Sequence, residues 1–148
     1  MFVTTVEIEI ERPVSDVYAF LAEPANYGRW MSNIKQVSAL SPLAPGDLFQ
    51  QTSYFQGQQE TCAGDVADMV ENSRIVLRAT RVISGPGLVP LWTFTLLPVT
   101  NGTRVHWSNE VRTQGKMRIL ELFYPRDLFA GLGRECIFAL KYILEKKA

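Results

Sequence analysis

The chain has 148 residues, with 15 Lys and Arg against 15 Asp and Glu, 47% hydrophobic residues and 20% charged. That length suits one domain, expected over 1–148, with enough chain to bury a core. Formal neutrality argues against a nucleic-acid binder, which needs a net basic face, and no run reaches the roughly 18 apolar residues of a membrane span.

In chain order, the first expected element is a strand over Phe2 to Ile10, where Val6, Ile8 and Ile10 alternate with Glu7 and Glu9. Arg12-Pro13 stops it and opens a helix on which Val14, Val17, Tyr18 and Leu21 share a face. Glu23-Pro24 breaks that helix, and a second short one is expected from Pro24 to about Met31, carrying Tyr27 and Trp30. Strands follow over Ile34 to Leu40, Leu48 to Phe55, Glu60 to Val70 and Arg74 to Val82. Between them lie a proline-bearing loop at Ser41 to Gly46, a turn at Gln56 to Gln59 and another at Glu71 to Ser73. Ser84-Gly85-Pro86-Gly87 reads as a mobile turn; it lacks the lysine of a phosphate loop.

Leu91 to Gly115 is the clearest pattern. Trp92, Phe94 and Leu96 share one parity, as do Thr103, Val105, Trp107, Asn109 and Val111; Arg104, His106, Ser108, Glu110 and Arg112 take the other. A period of two on either side of Pro98 to Gly102 predicts a hairpin with an aromatic inner face and a charged outer one. The period then changes. Lys116 to Phe123 is helix-like, Pro125 should break it, and Leu128, Leu132, Cys136, Leu140, Ile143 and Leu144 form the stripe of a long amphipathic helix. A sheet with one apolar face packed on such a helix is an α+β fold. Cys62 and Cys136 show no CxxC or metal-ligand spacing and are expected as buried free thiols. No signal-peptide pattern opens the chain, so the cytoplasm is the expected location.

Four local patterns, taken in order, resemble a known superfamily. They are Ile10-Glu11-Arg12-Pro13-Val14 running to Leu21 and Trp30, Pro45-Gly46-Asp47-Leu48-Phe49, Leu97-Pro98 with Asn101-Gly102-Thr103-Arg104-Val105, and Leu140-Lys141-Tyr142-Ile143-Leu144-Glu145. Together they are similar to the START-like, birch-pollen-allergen-like superfamily (SRPBCC, or helix-grip), most of all its bacterial polyketide cyclase/dehydratase-like branch. The resemblance implies a helix-grip fold: a curved antiparallel sheet of about seven strands around a long C-terminal helix, two short helices after the first strand, and a cavity for a hydrophobic small molecule.

Trp30, Phe49, Phe55, Trp92, Phe94, Trp107 and Phe129 are then candidates for the cavity wall, with Leu132 and Cys136 from the helix; each can equally be core. Asn109 is the inward-facing amide. Arg81 joins them if Ile75, Leu77 and Ala79 form the inner parity of their strand. His106 faces outward, Asp65 and Asp68 lie on a strand of uncertain parity, and no catalytic residue is assigned. No cofactor and no metal site is expected. The expected function is binding of a lipid, polyketide or aromatic ligand. A polyketide cyclase/dehydratase-type enzyme is the alternative, needing two titratable groups in the cavity; a protein-interaction module is the third reading. The oligomeric state stays open, a homodimer included.

Overall fold

A computed structural model describes residues 1–146; the expected span of 1–148 runs past them. Strand β1 (Phe2–Ile10) is followed by helix α1 (Val14–Leu21), a 3-10 turn at Pro24–Asn26, and α2 (Tyr27–Trp30). Then come β2 (Ile34–Ser38), β3 (Leu48–Phe55), β4 (Gln58–Val70), β5 (Arg74–Ser84), β6 (Leu88–Val99) and β7 (Gly102–Thr113). Helix α3 (Lys116–Leu120) leads through a 3-10 turn to α4 (Ala130–Lys146). The strands form one curled antiparallel sheet of seven, in the order β1-β7-β6-β5-β4-β3-β2. This is the α+β helix-grip arrangement.

The alternation of the late hairpin is realised. Trp92, Phe94, Val105 and Trp107 are buried, while Arg104, His106 and Glu110 lie half-buried on the opposite face. The hairpin is longer than the prolines suggest, since Pro90 and Pro98 lie inside β6, opposite Val111 and Thr103 of β7. Both fall outside Leu91 to Thr95, the stretch of β6 paired with β5. Proline is tolerated there because no second neighbour asks for its missing N–H. The Gln56–Gln59 turn is tighter than expected: Phe55 pairs with Gln58, and Gln56 and Gly57 both take positive φ, as a two-residue hairpin turn requires.

Helix α4 packs against β1 and α2. Cys136, Ile137, Leu140 and Leu144 are buried, with Leu132 and Ile143 partly buried against the same core. The chain breaks at Tyr124, ahead of Pro125, as expected; the helix itself starts only at Ala130, so Leu128 and Phe129 precede it. Two contacts fix its far end: Arg12 donates from Nη1 to the Leu144 carbonyl at 2.7 Å, and Lys141 donates from Nζ to the Glu9 carbonyl at 2.7 Å. At its near end the helix comes close to the sheet. A Cβ on Gly133 would stand 2.9 Å from Thr4 Cγ2.

Candidate functional site

Where the start of α4 meets the inner face of the sheet lies a cavity of about 50 Å³. β6 and β7 supply Leu88, Pro90, Trp92, Trp107, Asn109 and Val111; β3 and β4 supply Gln51, Ser53 and Glu60. Met31 and Asn33 close one side after α2, and Phe129, Leu132 and Gly133 close the other. An aromatic cluster backs it. Trp107 stacks on Phe94 at 5.7 Å between centroids and meets Trp30 edge-on at 5.2 Å, and Tyr27 stacks on Trp92 at 5.6 Å. Tyr27 Oη donates to the Leu21 carbonyl at 2.7 Å, which fixes the ring although it is wholly buried.

Of the residues expected at the wall, Trp92, Trp107, Asn109, Phe129 and Leu132 line this cavity. Trp30, Phe49, Phe94 and Cys136 are buried in the surrounding core instead. Phe55 does not line it and packs in a second apolar cluster, 5.8 Å from Phe129 and 6.2 Å from Tyr124 between ring centroids.

Arg81 is the clear correction: it is exposed and faces away. The register between β4 and β5 shifts between Ala63 and Gly64, so that Ala63 pairs with Arg81 and Gly64 with Ala79. Thr80 is the extra residue of a bulge, and one extra residue reverses the parity of the strand beyond it. Both acidic candidates lie on the outer side, Asp65 opposite Arg78 and Asp68 just past a further shift at Val66. Asp65 receives two hydrogen bonds from Arg78, at 3.0 and 2.7 Å, which hold its carboxyl below the usual range, and Asp68 pairs with Arg74 at 2.6 Å.

The residue missed is Glu60, only 2% exposed. Its Oε2 accepts from the Gly87 N–H at 2.7 Å and its Oε1 from the Leu88 N–H at 2.6 Å. Burial pushes its carboxyl above the usual range, and the two backbone donors offset part of that rise. The same bonds anchor the Gly87 end of the turn at Ser84 to Gly87. That turn is tied to Glu60 on one side, and on the other Gln114 donates to the Gly87 carbonyl at 2.8 Å. Gly87 has φ +116, and a Cβ there would stand 2.0 Å from the Gln114 oxygen, so only glycine fits.

The cavity wall holds polar atoms that the protein leaves alone. Trp107 Nε1 and Asn109 Oδ1 are buried with no hydrogen-bond partner, as are the neighbouring Thr4 Oγ1 and Trp30 Nε1. Thr4 faces Asn109 across the β1–β7 ladder. Both thiols are free and buried: burial, and secondarily the nearby Glu60 carboxyl, pushes Cys62 up to about 12, and burial raises Cys136. Among the described residues no cluster of His, Cys, Asp and Glu could hold a metal, and no helix is long and apolar enough to cross a membrane.

A seven-stranded sheet gripping a C-terminal helix has counterparts. Residues 1–134 match the family described as polyketide cyclase / dehydrase and lipid transport. The chain belongs to this family. No curated protein matches its sequence. Solved structures similar to this polyketide cyclase / dehydrase and lipid transport family member include a protein from Thermus thermophilus, with TM-score 0.75, 12% identity and 99% of both chains covered. Another, from Deinococcus radiodurans, has TM-score 0.72, 14% identity and 100% of both chains covered. A START superfamily protein from Mycobacterium smegmatis has TM-score 0.70 and 16% identity, over 99% of this chain and 97% of that one. At these identities the likeness is one of fold, and the START-like expectation holds at that level.

Proposed function

We propose that this chain binds and sequesters a mainly apolar small molecule between the sheet and α4. The observation that carries the reading is the cavity wall: indole faces beside buried polar atoms that lack protein partners. A finished core rarely keeps such atoms, whereas a ligand site needs them. A family description that includes lipid transport agrees with it. Burial of apolar ligand surface supplies the affinity, at about 25 cal/mol per Å². The space of about 50 Å³ is well below the ~300 Å³ and more of drug-sized sites, so binding requires the wall to yield. Phe129, just before α4, and Leu132, in its first turn, are half-buried and are the side chains placed to move. Native mass spectrometry of the protein purified from its own host tests this. A co-purified small molecule, released on denaturation, is expected. A bare chain whose melting temperature also stays fixed across a panel of hydrophobic compounds rules it out.

Glu60 favours a second reading, a polyketide cyclase/dehydratase-type enzyme. A buried carboxyl with a raised pKa, facing a cavity, suits proton transfer. Against it, Glu60 is the one carboxyl or base among the cavity-lining residues, so a partner for acid and base roles is lacking. Turnover of a poly-keto substrate that Glu60→Gln abolishes while binding persists decides for the enzyme.

A further inference from the structure

Trp107 and Asn109 stand two residues apart on one face of β7, their backbones about 7 Å apart by strand geometry. Trp107, 4% exposed, offers an indole N–H without an acceptor, and Asn109 offers a carbonyl oxygen without a donor. An orphan donor beside an orphan acceptor complements a hydroxyl, whose oxygen takes the first bond and whose hydrogen gives the second.

Charge narrows the class. The cavity lining includes one carboxylate, Glu60, and no lysine, arginine or histidine; Arg81, the cation expected there, faces outward. An anionic head group therefore meets no counter-charge and sits near Glu60 in a poorly solvated space. An ammonium finds Glu60 and Asn109 but leaves the Trp107 N–H unsatisfied, since it has no lone pair to offer.

We propose that the ligand of this cavity is an uncharged molecule bearing a hydroxyl on an apolar frame, an alcohol or a phenol, with its oxygen between Trp107 Nε1 and Asn109 Oδ1. The proposal rests on the reading that the cavity binds ligand, and it excludes fatty carboxylates and phosphate esters. Because about 50 Å³ is less than the ~150 Å³ that accommodates benzene in an engineered cavity, the wall must yield even for one ring, and a one-ring frame asks the least of it.

Benzene, phenol, benzoate and benzylamine are titrated into the full chain at neutral pH, with the indole N–H signals followed by NMR. The Trp107 signal is identified by its loss in Trp107→Phe. Phenol is expected to bind about tenfold more tightly than benzene and to move the Trp107 indole proton downfield. Benzoate and benzylamine are expected to bind more weakly than benzene. Asn109→Leu should lower phenol affinity to that of benzene and leave benzene unaffected; if Trp107→Phe does not fold, this variant and the wild-type shifts still decide. Benzene binding as tightly as phenol, or either charged compound binding best, overturns the hydroxyl assignment while leaving the cavity reading intact. Binding by none of the four overturns both.

Discussion

Glu60 and Asn109 are both polar residues on one cavity wall, and the fold treats them differently. Glu60 has both oxygens engaged by backbone N–H groups, yet burial still raises its pKa. Its folded value lies above the unfolded one, so between the two the folded state holds a proton that the unfolded chain has released. Its effect on stability is therefore most favourable on the acid side and is lost as pH rises from the ordinary carboxylate range through the raised value. Urea unfolding across that range should show this fall in the wild type and not in Glu60→Gln. The amide cannot accept from both donors, so the variant should also be weaker by about 1–3 kcal/mol at the acid end. Asn109→Leu should do the reverse. It removes an acceptor that no protein group satisfies, so the ligand-free protein should gain up to about 1–3 kcal/mol, read by the same denaturation. The inward side of Glu60 is not legible, because its strand has no settled parity: register shifts along it leave Glu60 buried and Asp68, of the same sequence parity, on the outer side. Gln51 and Ser53 are legible, by parity with Phe49. Asn33 is not, because it lies in the irregular link between α2 and β2, where no period applies.

The elements themselves follow from period and proline position, and the departures have local causes. Alternation predicts β6 and β7 because both keep an unbroken period of two, with Trp92, Phe94, Val105 and Trp107 inward. The same reasoning fails on β5, where the bulge at Thr80 depends on how β4 pairs with it and leaves no mark in composition. Gly133 shows a constraint of the opposite kind, a close approach of α4 to β1. Gly133→Ala should cost about 1–3 kcal/mol, because Thr4 is β-branched and cannot swing its methyl aside freely. Thr4→Ser removes that methyl, so the double variant should recover most of the loss in a thermodynamic cycle. Additive losses would show that the helix resists the alanine elsewhere. Between α3 and α4 the chain behaves differently again. Leu122 is 83% exposed and Phe123 77% exposed, with Ile119 beside them. Replacing Leu122 and Phe123 together by serine should change stability by no more than about 0.5 kcal/mol, since almost no burial is lost. A larger loss in chemical denaturation would mean that these side chains are covered in solution.

Across the whole molecule, the ends of the chain are tied together. β1 is an edge strand, and its free side is occupied by the C-terminal region: the Val3 N–H donates to the Arg126 carbonyl at 3.0 Å, Glu11 N–H to the Glu145 carboxylate at 2.9 Å, and Lys141 to Glu9. An edge covered in this way is not a template for pairing with another chain. The sheet and α4 share one core around Trp107, so they should unfold together. Far-ultraviolet circular dichroism and tryptophan emission should give coincident urea transitions, and separated midpoints would show that α4 leaves first. That emission has an unusual origin. The chain has three tryptophans, and all three belong to the one cluster, with Trp107 5.2 Å from Trp30 and 6.4 Å from Trp92 between ring centroids. Indoles this close couple through their transition dipoles, since that coupling falls with the cube of distance, and excitation of one is shared with the others. The ultraviolet light this protein emits through its indoles therefore comes from a single place, beside the cavity, with no contribution from tryptophan at the surface.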